Sequence, residues 1–255
     1  MDYIIQAVSD IGNVKKTNQD SMSVKLLNTG QGKMVFAVLC DGMGGLSKGE
    51  VASASVIKGF EHWVQEELPI LCQFPIEVSK LREQWEHVMY IQNREIAAYG
   101  KQCGCALGTT AVVMLLTQNN YYIMNVGDSR AYELKTELKQ LTQDQTLVAE
   151  EVRKGRLTEE QAKTDARRSI LLQCVGASET IYPDMYTGEV SKDTVFLLCS
   201  DGFHHEITPE EIAYYLQPAV MTDDEVMRNN AQYLIAMDKE RQERDNISVV
   251  MVRTF

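Results

Sequence analysis

Three apolar runs that each deliver an aspartate at their end constrain this 255-residue chain more than any other feature. Val35-Phe36-Ala37-Val38-Leu39-Cys40 leads into Asp41-Gly42-Met43-Gly44-Gly45, and Val195-Phe196-Leu197-Leu198-Cys199-Ser200 leads into Asp201-Gly202. Tyr121-Tyr122-Ile123-Met124-Asn125-Val126 leads into Gly127-Asp128-Ser129-Arg130. A run this apolar reads as a strand buried on both faces, so its end lies at the rim of a sheet. A carboxylate there is partly desolvated, and an unpaired buried charge is costly. A fourth acid, Asp245, precedes Asn246 and the last apolar run. One Asp-Gly alone is a turn signal. Three in register with apolar strands describe an acidic site.

Converging carboxylates repel one another, and few bases lie near them in the sequence. Mg²⁺ or Mn²⁺ resolves that repulsion, because these hard cations prefer carboxylate, carbonyl and water oxygens. Gly42 lets the backbone turn sharply enough for its carbonyl to face the same ion.

Runs rich in β-branched residues predict strands over 3–9, 21–27, 34–40, 109–116, 121–126, 130–134, 181–189, 194–199 and 247–253. Connectors as short as Gln118-Asn119-Asn120 imply antiparallel hairpins. Two helices interrupt the strands. Val56, Phe60, Trp63 and Val64 share a face of the first, and Val78, Leu81, Trp85, Val88, Met89 and Ile96 a face of the second. Thr208-Pro209-Glu210-Glu211 has the form of a capping box opening a third helix, and a fourth runs over 223–239. The pattern predicts an α+β fold, two antiparallel sheets with helices outside. Residues 143–168 break the rhythm. They are polar, with short helical pieces at 146–154 and 158–163, and read as an insertion over the sandwich. A substrate-contacting appendage and a solvated excursion both remain open.

The formal net charge of −11 argues against sequence-independent binding to nucleic acid or an anionic membrane. No segment reaches the ~18 apolar residues of a membrane span, and the first residues lack the basic start and apolar core of a signal peptide. The six cysteines show no framework spacing, which points to a reducing cytoplasm. Cys103-Gly104-Cys105 has no second pair at zinc-ligand spacing.

Asn18-Gln19-Asp20, Asp41-Gly42-Met43-Gly44-Gly45, Gly108-Thr109-Thr110, Val126-Gly127-Asp128-Ser129-Arg130, Ser200-Asp201-Gly202 and Asp245-Asn246 carry a resemblance. In order and spacing they resemble the metal-dependent type 2C serine/threonine protein phosphatases, the PPM family, in its bacterial branch. The likeness spans the chain, as one domain over 1–255 with a flap-like appendage around 143–168. It implies a four-layer α-β-β-α sandwich of two antiparallel sheets flanked by helix pairs. It also implies two Mn²⁺ or Mg²⁺ ions and hydrolysis of phosphoserine or phosphothreonine by an activated water. Asp41 would bridge the ions and the Gly42 carbonyl would bind one. Asp201 and Asp245 would complete the other, and Asp20 would hold water on them. Asp128, with Asp201, matches the site of a third and weaker metal. Ser129 and Ser200 are then not nucleophiles; Ser129 fixes its loop.

Two departures stand out. Lys15 occupies the place of a phosphate-clamping arginine, which keeps the charge but loses the two-pronged donor and predicts weaker substrate binding. Lys16 is its neighbour and competitor for the role. After Leu141-Thr142 the family's Asp-His-Ser is replaced by Gln143-Asp144-Gln145-Thr146, so selection by the flap differs. Met43 stands where other branches place a histidine acid. His62, His87, His204 and His205 read as structural. The resemblance implies phosphoprotein substrates, a eukaryotic-type serine/threonine kinase as counterpart, and a monomer. A hydrolase of small phosphomonoesters and a non-catalytic phosphoprotein-binding module are the competing readings.

Overall fold

Alternation along one central strand builds the layers of this molecule. In β3 (Gly32–Cys40), Met34, Phe36, Val38 and Cys40 face helices, while Val35, Ala37 and Leu39 face a second sheet. Every residue from Met34 to Cys40 is therefore buried, which is why the strand reads as an unbroken apolar run. The structure is a computed structural model and describes residues 1–43 and 48–255. Gly44 and Gly45 of the glycine-rich turn lie outside the described residues.

One sheet has the order β2-β3-β4-β5-β8, with β2 (Ser21–Thr29), β4 (Ala111–Leu116), β5 (Asn120–Val126) and β8 (Asp184–Glu189). The other has the order β1-β10-β9-β6-β7, with β1 (Tyr3–Asp10), β6 (Arg130–Leu134), β7 (Leu138–Gln140), β9 (Thr194–Cys199) and β10 (Ile247–Thr254). Neighbouring strands pair antiparallel throughout.

α1 (Gly49–Glu66) and α3 (Val78–Cys103) cover the first sheet, joined by the single turn α2 (Leu68–Leu71). Trp63 and Trp85 meet edge to face there, ring centroids 5.6 Å apart, with Phe36 of the sheet beneath. Truncating a tryptophan so buried costs about 3–5 kcal/mol. α7 (Pro209–Leu216) and α8 (Asp224–Glu240) cover the second sheet, with the short α6 (Asp201–His204) at the end of β9. The capping box at Thr208 forms as the sequence implies. Between the sheets lie Val35, Leu39, Met114, Ile123, Phe196, Leu198 and Val250, giving the α-β-β-α sandwich.

Some expectations need correction. The strand expected over 109–116 starts at Ala111, because Thr109 and Thr110 turn aside to bind the backbone at Asp41. That expected over 181–189 starts at Asp184, immediately after Pro183, which has no N–H to give a ladder. Val78 opens α3 on its exposed side rather than in the core stripe. β7, α2 and α6 are additional; each is too short for a periodic signal. Among the described residues no helix is long and apolar enough to cross a membrane.

The segment expected to form an appendage, residues 143–168, contains α4 (Leu147–Arg153) and α5 (Glu159–Thr164). Its root is tied to the metal-motif loop. Arg130 grips Asp144 with two nitrogens at 2.7 and 2.9 Å, and the Gly127 N–H donates to Gln145 Oε1 at 2.8 Å. Thr146 caps α4. The residues that replace Asp-His-Ser thus anchor this segment.

Candidate metal centre

Asp41 arrives at the end of β3 and Asp201 at the end of β9; Asp245 precedes β10, Asp20 precedes β2, and Asp128 follows β5. Strand ends from both sheets converge there. Asp41 and Asp128 are buried, and the Asp201 side chain is 14% exposed.

The motif residues that are not acids hold this arrangement. Asp41 N–H donates to Thr110 Oγ1 at 2.9 Å, and the Asp41 carbonyl accepts from Thr109 Oγ1 at 2.8 Å and Thr110 N–H at 2.9 Å. Ser129 Oγ lies 2.7 Å from Thr110 Oγ1, so Ser129 fixes its loop to the strand end that carries Asp41. Asn246 Oδ1 accepts from Gln19 N–H at 2.9 Å, while its amide donates to the carbonyls of Ile11 and Thr17. That staple holds the loop leading to Asp20. A side chain at Gly42 would strike the Gln19 and Gly49 carbonyl oxygens, each 2.5 Å from its Cβ position, so only glycine fits there.

Electrostatics confirm the crowding. Burial raises the Asp41 carboxyl far above its usual range, and the charges of Asp20, Asp201, Asp245 and Asp128 raise it further. Burial, with Asp201 and Asp144, lifts Asp128 to about 8. Burial, with Asp201 and Asp245, lifts Asp20 to about 7. The hydroxyls of Ser248 and Ser200 temper that rise. Burial raises Asp201 as well, opposed by His205. Both oxygens of Asp20 and Oδ1 of Asp201 are buried without a hydrogen-bond partner. Unpartnered buried carboxylate oxygens of this kind suit a hard divalent cation. Among the described residues no three His, Cys, Asp or Glu side chains are drawn together closely enough to form a metal cage.

Lys15 does reach the site. Its ammonium lies 2.7 Å from Asp245 Oδ1, whereas Lys16 is exposed. His205 Nε2 lies 3.7 Å from Asp201 Oδ2 and its Nδ1 lies 3.5 Å from Glu243 Oε2. Burial alone would lower His205, but Glu243 and Asp201 outweigh it and lift the imidazole to about 9. His205 thus approaches the site, as its place four residues after Asp201, one helical turn on, implies, and its partners are side chains of the two neighbouring loops. His204 is held neutral by burial, and His62 and His87 are exposed on their helices. Cys40 and Cys199 are buried free thiols, and Cys103 is exposed.

A family model described as protein phosphatase 2C matches residues 13–236. Protein phosphatase PhpP of Streptococcus pneumoniae is 28% identical over 97% of this chain and 96% of its own. The crystal structure of the serine/threonine phosphatase Stp1 from Staphylococcus aureus superposes with a TM-score of 0.85, at 25% identity, over 100% of this chain and 96% of that one. The catalytic domain of PstP, solved with two manganese ions, superposes at 0.77 with 28% identity, over 98% of this chain and 97% of that one.

Proposed function

This chain belongs to the protein phosphatase 2C family, and on that premise we propose that it removes phosphate from phosphoserine and phosphothreonine in proteins, using a water activated between two divalent cations. The observation that carries this reading is the convergence of Asp20, Asp41, Asp128, Asp201 and Asp245, with three carboxylate oxygens buried and unpartnered. Asp41 would bridge the cations, the Gly42 carbonyl would bind one, and Asp201 with Asp245 the other. Asp20 would hold water on them, and Asp128 with Asp201 a third and weaker ion. When bound, the cations supply a water that ionises near neutral pH and neutralise the phosphate oxygens. The manganese ions of PstP favour Mn²⁺ here.

The chain's own groups fit a reaction without a side-chain nucleophile. The Ser129 hydroxyl is bonded to Thr110, and Ser200 Oγ accepts the Ser248 N–H at 3.0 Å. Lys15, at the same rim, is placed to hold a phosphate oxygen while remaining beside Asp245. The whole chain acts as one domain, with residues 143–168 as its flap, and a eukaryotic-type serine/threonine kinase is the expected counterpart.

Hydrolysis of a phosphothreonine peptide tests the proposal, with Mn²⁺, with EDTA, and with Asp201→Asn in Mn²⁺. Release should require Mn²⁺ and fall by about a hundredfold or more in the variant, as expected when a group acting on transition-state charge is removed. A folded protein that binds Mn²⁺ but releases no phosphate from the peptide would refute it, and release from a small phosphomonoester alone would assign the site to metabolites.

A further inference from the structure

Two residues outside the family motifs join the loops that carry Asp201 and Asp245. Glu243 lies in the turn between α8 and β10 and is 5% exposed. Its Oε1 accepts the Arg244 N–H at 2.6 Å and the Asp245 N–H at 2.8 Å. Its other oxygen faces His205 Nδ1, and His205 Nε2 faces Asp201 Oδ2. The His205 N–H also donates to the Asp201 carbonyl at 3.1 Å. The imidazole thus stands between the two loops at ion-pair rather than hydrogen-bond distance, 3.5 Å from the Glu243 carboxylate and 3.7 Å from that of Asp201.

The backbone beside Glu243 is constrained to present it. Gln242 has φ +71, a left-handed conformation that costs a side-chain-bearing residue energy. The Glu243 N–H is fixed to the Asp238 carbonyl at 3.0 Å, at the end of α8. On the other loop, a Cβ at Gly202 would stand 2.3 Å from the Asn246 carbonyl oxygen, so the two loops already touch. The imidazole faces Oδ2 of Asp201, while Oδ1 is buried without a hydrogen-bond partner.

We propose that His205 and Glu243 are positioning residues: a carboxylate–imidazole clamp that fixes the rotamer of Asp201 and the spacing of Asp201 from Asp245, and so sets the affinity for the cation those two carboxylates share. The inference rests on the metal reading proposed above. Groups that orient metal ligands from behind typically contribute 10–100-fold in metal affinity.

Removing His205 separates positioning from simple charge. An imidazole acting only as a positive neighbour would oppose a divalent cation, so its loss would tighten binding. An imidazole acting as a clamp would weaken binding when lost. The experiment is calorimetric titration of Mn²⁺ into metal-free wild type, His205→Phe, Glu243→Gln and the double variant, with circular-dichroism melts in EDTA. His205→Phe keeps ring bulk. Glu243→Gln keeps an oxygen for the Arg244 and Asp245 amides, and so keeps the proposal testable if the first variant fails to fold. Each single variant should bind Mn²⁺ about tenfold or more weakly, and the double variant no more weakly than the weaker single, because one clamp is broken only once. Wild-type affinity in folded variants, tighter binding by His205→Phe, or additive losses would overturn the clamp. Absence of Mn²⁺ binding by wild type would overturn the metal reading and the clamp with it.

Discussion

Raising the pH of the cation-free protein from 5 to 8 is expected to destabilise it. Burial lifts Asp20 from 3.8 to about 7 and Asp128 from 3.8 to about 8. In the unfolded chain both acids ionise near 3.8. Between that value and the folded one, the folded state holds protons that the unfolded state has released, so stability falls as pH rises and levels off above about 7 to 8. For Asp20 alone the interval corresponds to about 4 kcal/mol. The acids share Asp201 as a neighbour, so their costs do not simply add. Of the Asp20 interval, the part that falls between pH 5 and 8 is about 3 kcal/mol, a large share of the 5–15 kcal/mol that holds an ordinary domain together, and it lowers Tm by roughly 6–12 °C in a chain of this size. Cations reverse the trend, since they bind the ionised, folded site: Mn²⁺ at a hundred times its Kd adds about 2.7 kcal/mol. The assay is a set of circular-dichroism melts at pH 5, 6, 7 and 8, in EDTA and then in Mn²⁺. Asp20→Asn should raise the pH 8 Tm in EDTA while lowering turnover in Mn²⁺. An EDTA melting temperature that stays flat or climbs between pH 5 and 8 would refute the reasoning.

Two further outcomes follow from the geometry. Lys15→Arg restores a planar donor that can grip phosphate with two N–H groups, so KM for a phosphopeptide should fall roughly 3- to 10-fold with kcat little changed; an unchanged or higher KM would mean that Lys15 serves Asp245 alone. Gly202→Ala pushes a methyl against a backbone oxygen 2.3 Å away and must displace the Asp201 or Asp245 loop. Activity should drop on the order of 100-fold, as for other ångström-scale misplacements, and a fully active variant would show that the loops yield without consequence.

Asp41, Asp128 and Asp201 were legible in the sequence because each sits where an apolar strand ends, the part of a sheet that patterning locates best, whereas Asp20 precedes a strand and came from the resemblance alone. Asp41 and Asp201 follow runs buried along their whole length. The role of Ser129 as a loop-fixing hydroxyl came from the resemblance, in which a metal-bound water attacks and no side-chain nucleophile is needed. The clamp was not legible. His205 and Glu243 meet only because α6 and the turn after α8 pack together, and no periodicity links a one-turn helix to a loop. The pairing of Lys15 with Asp245 escaped for the same reason: it joins the β1–β2 loop to the approach of β10. Local signals place a residue on an element; tertiary contact decides which element it faces.

The same distinction explains how a chain with net charge −11 can take an anionic substrate. Overall charge describes the surface seen from a distance and would steer a phosphate away. At the site, five carboxylates converge where two rigid sheets bring their strand ends together, and the unbroken apolar strands beneath do not let those acids move apart into water. Their mutual repulsion stays high until cations replace protons among them. On the reading proposed above, cations held in this way would leave part of their coordination to water and phosphate oxygens, and the acidity of the site would then give it affinity for an anion. A more basic site would bind phosphate directly, but it would forgo the cations that the proposed hydrolysis needs to supply an acidic water.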